Sequence, residues 1–169
     1  MTPDRILPRK AWTSSRHTSS LDKPKRPGIL FVHITDTPGE PVTDPARERA
    51  ALRSIRDYHV NVRGWDDIAY SYLLCQPWQR KGPATVYVGR GRDRLPASQQ
   101  GFNRGNWSVA VVAYESDPIM DRTVEAIAWL ARYLGAQGIK GHRDVNDTSC
   151  PGGTLYARLG EARRLAGAG

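Results

Sequence analysis

Gly28-Ile-Leu-Phe-Val-His-Ile-Thr35 is an apolar, β-branched run interrupted by a single histidine. Such a run, short and continuous rather than alternating, predicts a strand buried on both faces of a sheet. Outward from it, Asp44-Pro45 opens a helix. Asp is a good N-cap and Pro suits the first helical position. Ala51, Leu52, Ile55 and Tyr58 or His59 then recur at helical spacing over 46–59. Residues 68–75, 85–89 and 107–114 predict further strands. A second helix starts at Asp117-Pro118 or Asp121 and ends near Leu134. A short strand falls at 138–141, and Thr154 caps a last helix through Leu165. Turns are expected around Pro38, Gly39 and Pro41 and between 76 and 84, with a frayed tail after Leu165. The order β-α-β-β-β-α-β-α predicts an α/β domain: one central mixed sheet flanked by about three helices. Residues 1–27, rich in Pro, Ser, Lys and Arg, predict an irregular arm pinned by Ile6, Leu7 and Trp12. The domain proper is expected over 28–166.

The chain has 169 residues, enough for one domain with its own core, and ordinary hydrophobic (39%) and charged (25%) shares. No apolar run approaches the roughly 20 residues of a membrane span. The N-terminus lacks an apolar signal region, so synthesis in a cytoplasm without a secretory leader is expected. The net charge of +8 favours polyanions such as nucleic acid, anionic cell-wall polymer or a membrane surface. No helix gathers arginine on one face, so nucleic acid is not expected as a partner. Nothing in the pattern calls for an oligomer, and a monomer is expected.

Four histidines and two cysteines carry the candidate chemistry. His17 lies in the polar arm and reads as solvated or locally bonded. His59, at a helix C-terminus, reads as structural. Cys75 ends an apolar run and reads as a buried small hydrophobe. His33 stands near the C-terminal end of the central strand. Taken alone it reads as a satisfied core histidine or as a ligand at the strand-end position where α/β sheets bind. His142 and Cys150 lie eight residues apart around a polar, turn-rich loop. Two ligands from one loop and one from a distant strand would give zinc three donors, leaving its fourth position open. His142-Arg-Asp144 also occurs in kinase catalytic loops, but neither a Gly-rich loop nor Asp-Phe-Gly accompanies it.

Blocks across most of the chain resemble the type 2 N-acetylmuramoyl-L-alanine amidases, a family that includes phage endolysins and peptidoglycan-recognition proteins. The blocks are Arg9-Lys-Ala-Trp12, Phe31-Val-His-Ile-Thr35, Ile55 to Tyr72 with His59, Gly64-Trp65, Asp67-Ile68 and Tyr70, Val86-Tyr-Val-Gly-Arg90, Gly101-Phe-Asn103, Gly141-His-Arg-Asp-Val145, and Cys150-Pro-Gly152 with Leu155-Tyr156. The resemblance implies Zn2+ on His33, His142 and Cys150, with a catalytic tyrosine at Tyr70. It also implies a role for Thr148, where active members carry Lys or Thr. Two departures stand out. Ser98 occupies the place of a family histidine, and Ala69-Tyr70-Ser71 replaces a more usual Gly-Tyr-His or Gly-Tyr-Asn. The implied activity is zinc-dependent hydrolysis of the amide between N-acetylmuramic acid and L-alanine in peptidoglycan. The expected setting is a phage lytic enzyme made in the host cytoplasm and acting on the wall. A non-catalytic peptidoglycan-binding module and a cytosolic muropeptide-recycling amidase are the alternatives. Asp144 could orient a ligand histidine or pair with Arg143 or Arg90, the second being favoured. The basic stretch Arg90 to Arg94 with Arg104 reads as a solvated surface or as a contact to wall polymer.

Overall fold

The computed structural model describes residues 5–23, 28–37, 44–77, 82 and 84–167. The expected turn around Pro38, Gly39 and Pro41, most of the 76–84 turn and the last two residues lie outside these. The elements are β1 (Arg5–Leu7), β2 (Ile29–Ile34), α1 (Pro45–Asp57), β3 (Tyr72–Cys75), β4 (Thr85–Val88), β5 (Trp107–Val112), α2 (Asp121–Leu134), β6 (Gly138–Gly141) and α3 (Gly153–Ala166). They form one six-stranded sheet ordered β1-β4-β3-β5-β2-β6. The β3–β4 pair is antiparallel and all other pairs are parallel, so the sheet is mixed as expected.

Strand side chains alternate between the two faces. Leu30, Val32 and Ile34 of β2 pack with Val109 and Val111 of β5 against Ile127 and Leu130 of α2 and Leu155 and Leu159 of α3. On the other face Leu73, Tyr87 and Val112 meet Leu52 and Ile55 of α1 and the buried Trp12. No helix among the described residues is long and apolar enough to cross a membrane.

Local signals explain most boundaries. Ala46 and Arg47 N–H groups donate to Asp44 Oδ1 at 2.8 and 2.9 Å, the expected N-cap. Gly135 ends α2 in the left-handed conformation that glycine adopts without penalty. Helix α1 stops earlier than expected, at Asp57, and a wide π-type turn over Tyr58–Val62 carries His59. Thr154 does not cap α3. That helix begins at Gly153, and the Thr154 hydroxyl donates to the Glu115 carbonyl instead.

Two expectations need correction. Part of the arm is ordered structure: Arg5–Leu7 pairs in parallel with Thr85–Tyr87, and Arg9–Ala11 forms a 3-10 turn. The stretch 68–71 is not strand, because side chains and loops claim its backbone groups. The Ala69 N–H donates to His59 Nδ1, the Ser71 N–H donates to Ser108 Oγ, and the Ile68 carbonyl accepts from Arg90.

A buried carboxylate fixes this departure. Asp67 is fully buried, and its Oδ1 accepts from Arg9 at 2.9 Å, from Arg56 at 3.0 Å and from the Ile68 amide at 2.8 Å. Burial alone would raise its pKa, but the bonds from Arg9, Ile68 and Arg56 outweigh burial and hold it below the usual value. Removing the charge leaves Arg9 and Arg56 in the interior uncompensated. Asp67→Asn should therefore cost about 3 kcal/mol or more, read as a lower urea midpoint at pH 7. The contribution is complete above the unfolded pKa of about 4 and is lost as pH falls toward the lowered folded value. The gap between parent and variant should accordingly close in acid.

Candidate metal centre and groove

Three side chains singled out in the sequence meet at one end of the sheet. β2 and β6 are parallel neighbours with Val32 opposite Gly141. His33 and His142 follow those two positions, so both emerge at the same edge. Their ring centroids are 4.5 Å apart. The loop from His142 to Cys150 folds back on itself, with the Arg143 N–H donating to the Cys150 carbonyl at 2.9 Å. That return places Cys150 Sγ 3.7 Å from His33 Nδ1. One donor atom from each of His33, His142 and Cys150 lies within 4.8 Å of the others, so the trio could hold a metal ion. Gly141 is required for this approach, because a Cβ there would lie 2.8 Å from the Tyr156 ring.

The chemistry of the donors fits a soft or borderline divalent ion. Burial, followed by the neighbouring His142, pushes His33 down to about 3. Burial also lowers His142. Both imidazoles are therefore neutral at physiological pH and keep a lone pair to offer. Burial pushes the Cys150 thiol up to about 11. Cation binding would have to displace its proton, and thiolate with two imidazoles is a recognised zinc donor set.

Tyr70 lies beside the trio, its ring 5.5 Å from that of His33 and 5.6 Å from that of His59. Burial and then the Cys150 thiol raise its phenol above the ordinary value, so it remains a donor. His59 is structural, as expected. It is buried, packs its ring tilted against Trp65 with centroids 4.8 Å apart and orders the segment leading to Tyr70 through the Ala69 amide. An open groove of about 630 Å³ runs beside His142, lined by Trp65, Ala97, Ser98, Gln100 and Thr148. Ser98 thus faces the groove, with its hydroxyl donating to Gln99 Oε1 at 2.6 Å. The Thr148 hydroxyl accepts from the Cys150 N–H at 3.2 Å, a local bond within the loop.

Other expectations divide. Asp144 neither touches a ligand histidine nor pairs with Arg143 or Arg90. It accepts from the Tyr156 hydroxyl at 2.5 Å and from the Gly141 N–H at 2.8 Å, with Arg163 at 3.9 Å. The basic stretch is not a free surface. Arg90 is buried and spends its guanidinium on the Ile68 and Leu95 carbonyls and on Asp66. Arg92 donates to carbonyls at the end of α2, and Arg94 to the Ser19 carbonyl. Arg92 and Arg104 are exposed. Cys75 is buried, as expected.

Two residues escaped the sequence reading. Gln99, fully buried, places Oε1 3.1 Å from His33 Nε2. Asn146 places Oδ1 3.0 Å from His142 Nε2. Neither belongs to a ligand pattern, and the Gln99 contact joins positions 66 residues apart.

No protein-family model matches the chain. It is similar to N-acetylmuramoyl-L-alanine amidases of pig (29% identity over 91% of this chain and 26% of that protein) and human (30%, over 91% and 27%). It is also similar to peptidoglycan-recognition protein LB of Drosophila melanogaster (28%, over 92% and 67%). The chain spans about a quarter of the length of the mammalian amidases. Among solved structures, bumblebee peptidoglycan-recognition protein SA superposes with a TM-score of 0.78 at 24% identity, over 92% of this chain and 93% of that one. A complex of tracheal cytotoxin with the ectodomains of peptidoglycan-recognition proteins LCa and LCx gives 0.75 at 25% identity, over 90% and 92%. The fold is thus that of the peptidoglycan-recognition proteins. The chain is a homologue of proteins named N-acetylmuramoyl-L-alanine amidase and peptidoglycan-recognition protein.

The donor geometry carries its own test. Adding cobalt(II) to the metal-free protein should produce a thiolate-to-metal absorption band in the parent and none in Cys150→Ser. A band that survives the substitution would remove Cys150 from the donor set.

Proposed function

We propose that the chain is a zinc-dependent N-acetylmuramoyl-L-alanine amidase, cleaving the amide between N-acetylmuramic acid and L-alanine in bacterial peptidoglycan. The observation that carries this reading is the open three-donor cluster beside a groove, in a chain whose relatives bear the amidase name. His33, His142 and Cys150 would hold the ion. Zinc bound there supplies Lewis acidity, polarising the scissile carbonyl and acidifying water.

The remaining steps belong to the chain's own residues. The groove lined by Trp65, Ser98 and Thr148 would orient the stem peptide with its first amide toward the trio. Tyr70 would donate its phenol proton in a hydrogen bond to the oxygen that gains charge at the carbonyl, a stabilisation in keeping with other oxyanion donors. Thr148 would position the carbonyl or water from the groove side. Its hydroxyl can donate while accepting from the Cys150 amide, but it brings no charge. The expected lytic setting, a phage enzyme acting on the host wall, is part of the proposal. Its support is the net charge of +8, which favours an anionic polymeric wall over small soluble fragments.

Binding without turnover is the second reading. It is favoured by a similar structure in which recognition proteins hold tracheal cytotoxin. Purified sacculi separate the two. The parent should bind about one zinc per chain and release stem peptides with a new L-alanine N-terminus, and a chelator should stop the release. Tyr70→Phe should lower kcat roughly 100-fold with zinc content unchanged. Thr148→Ala should cost less than about tenfold, as expected of a single uncharged positioning contact. Full zinc loading without release would leave the binding reading standing. Activity on soluble muropeptides but not on sacculi would point to recycling.

A further inference from the structure

The loop between β4 and β5 forms one wall of the groove through Ala97, Ser98 and Gln100. The same loop reaches both histidines of the trio. Gln99 Oε1 lies 3.1 Å from His33 Nε2 and also accepts from the Ser98 hydroxyl. Asn146 Oδ1 lies 3.0 Å from His142 Nε2, while Asn146 Nδ2 donates to the Gln100 carbonyl at 3.1 Å. The loop is itself pinned, because Asn103 Oδ1 accepts from the Ser98 and Gln99 amides at 3.1 and 3.0 Å.

These contacts decide which way each amide points. A carbonyl only accepts, so the Asn146 group facing Gln100 is the NH2, and its oxygen must face His142. The Gln99 NH2 likewise faces the Phe102 carbonyl, which turns its oxygen to His33. An amide oxygen cannot donate, so each imidazole must present Nε2–H to it. The lone pair then sits on Nδ1. For His33 that nitrogen is the one 3.7 Å from Cys150 Sγ.

We propose that the 96–103 loop is the positioning element of the metal centre: Gln99 directly, and the Gln100 carbonyl through Asn146, lock His33 and His142 as Nε2–H tautomers with Nδ1 turned to the ion. This rests on the metal-centre reading above. Both partners are neutral amides, where a carboxylate would add negative charge to a site that already holds a thiolate donor. Because Gln99 belongs to the loop that forms the groove wall and Asn146 is bonded to it, displacement of that wall would also turn the imidazoles.

The test uses zinc itself and the metal-free protein. Gln99→Met removes the acceptor at similar length, and Asn146→Ala removes the second one from a half-exposed loop. Each should weaken zinc binding at least tenfold in competition with a chelating dye, the usual scale for losing a partner of a ligand histidine. Long-range 15N spectra of the metal-free parent should show Nε2–H on both rings. Each variant should show a mixture of tautomers at its own histidine. Asn146→Asp keeps an acceptor for His142 but loses the bond to the Gln100 carbonyl, so it should retain Nε2–H on His142 where Asn146→Ala does not. If Gln99→Met does not fold, Asn146→Ala with Asn146→Asp decides. Folded variants that bind zinc like the parent and keep Nε2–H would overturn the proposal. A parent that binds no zinc would instead sink the amidase reading.

Discussion

The Asp67 carboxylate is the interaction on which the rest of the molecule depends. It is fully buried, and one oxygen gathers an arginine from the N-terminal arm, an arginine from α1 and the amide of Ile68. An unpaired ion in the interior costs several kcal/mol, and here Oδ1 carries all three bonds while Oδ2 has no partner among the described residues. The constraint therefore draws the arm and α1 to the segment that carries Tyr70. Arg9 extends it to the end of β4 through the Gly89 carbonyl at 3.0 Å, and Trp12 Nε1 donates to the neighbouring Val88 carbonyl. Ile68 leaves the strand pattern because Asp67 claims its amide and Arg90 its carbonyl, and Ala69 and Ser71 because His59 and Ser108 claim their amides.

The second constraint is topological. Two parallel neighbouring strands must end on the same side, so β2 and β6 deliver His33 and His142 to one edge without help from a loop. Only Cys150 needs a loop, and that loop is short and internally bonded. Burial then sets the charge state. It disfavours imidazolium and thiolate alike, leaving a neutral cluster whose lone pairs face one another. Two neutral imidazoles and a thiol at such range offer each other no more than one weak S–H···N contact, 3.7 Å from Cys150 Sγ to His33 Nδ1. A cation among them would satisfy all three.

Much of this was legible in the chain. The apolar run at 28–35, the Asp44-Pro45 cap and Gly135 marked the core strand and two helix ends, since each signal is local. The trio was legible as well, once the blocks around it resembled a known family. Three things were not. The edge strand Arg5–Leu7 has only three residues and takes its identity from β4. Arg90 looked like a surface cation, and nothing local announces that Asp66 and three carbonyls enclose it. Gln99 acts on His33 across 66 residues and Asn146 acts on His142 only four residues away, but amide side chains carry no spacing rule that would single out either.

Ser98 illustrates how one departure reshapes the reading of its neighbours. An imidazole at this position would bring bulk and a titrating ring into the groove. A hydroxyl brings neither, and here it donates to the same Gln99 oxygen that accepts from His33. That oxygen has two lone pairs, so both bonds can form together, and the second holds the amide in place while the first orients the ring. The change in the groove wall is thus absorbed by the layer behind it. Ser98 in the groove wall and Gln99 against His33 are thus tied together by adjacent atoms of one loop.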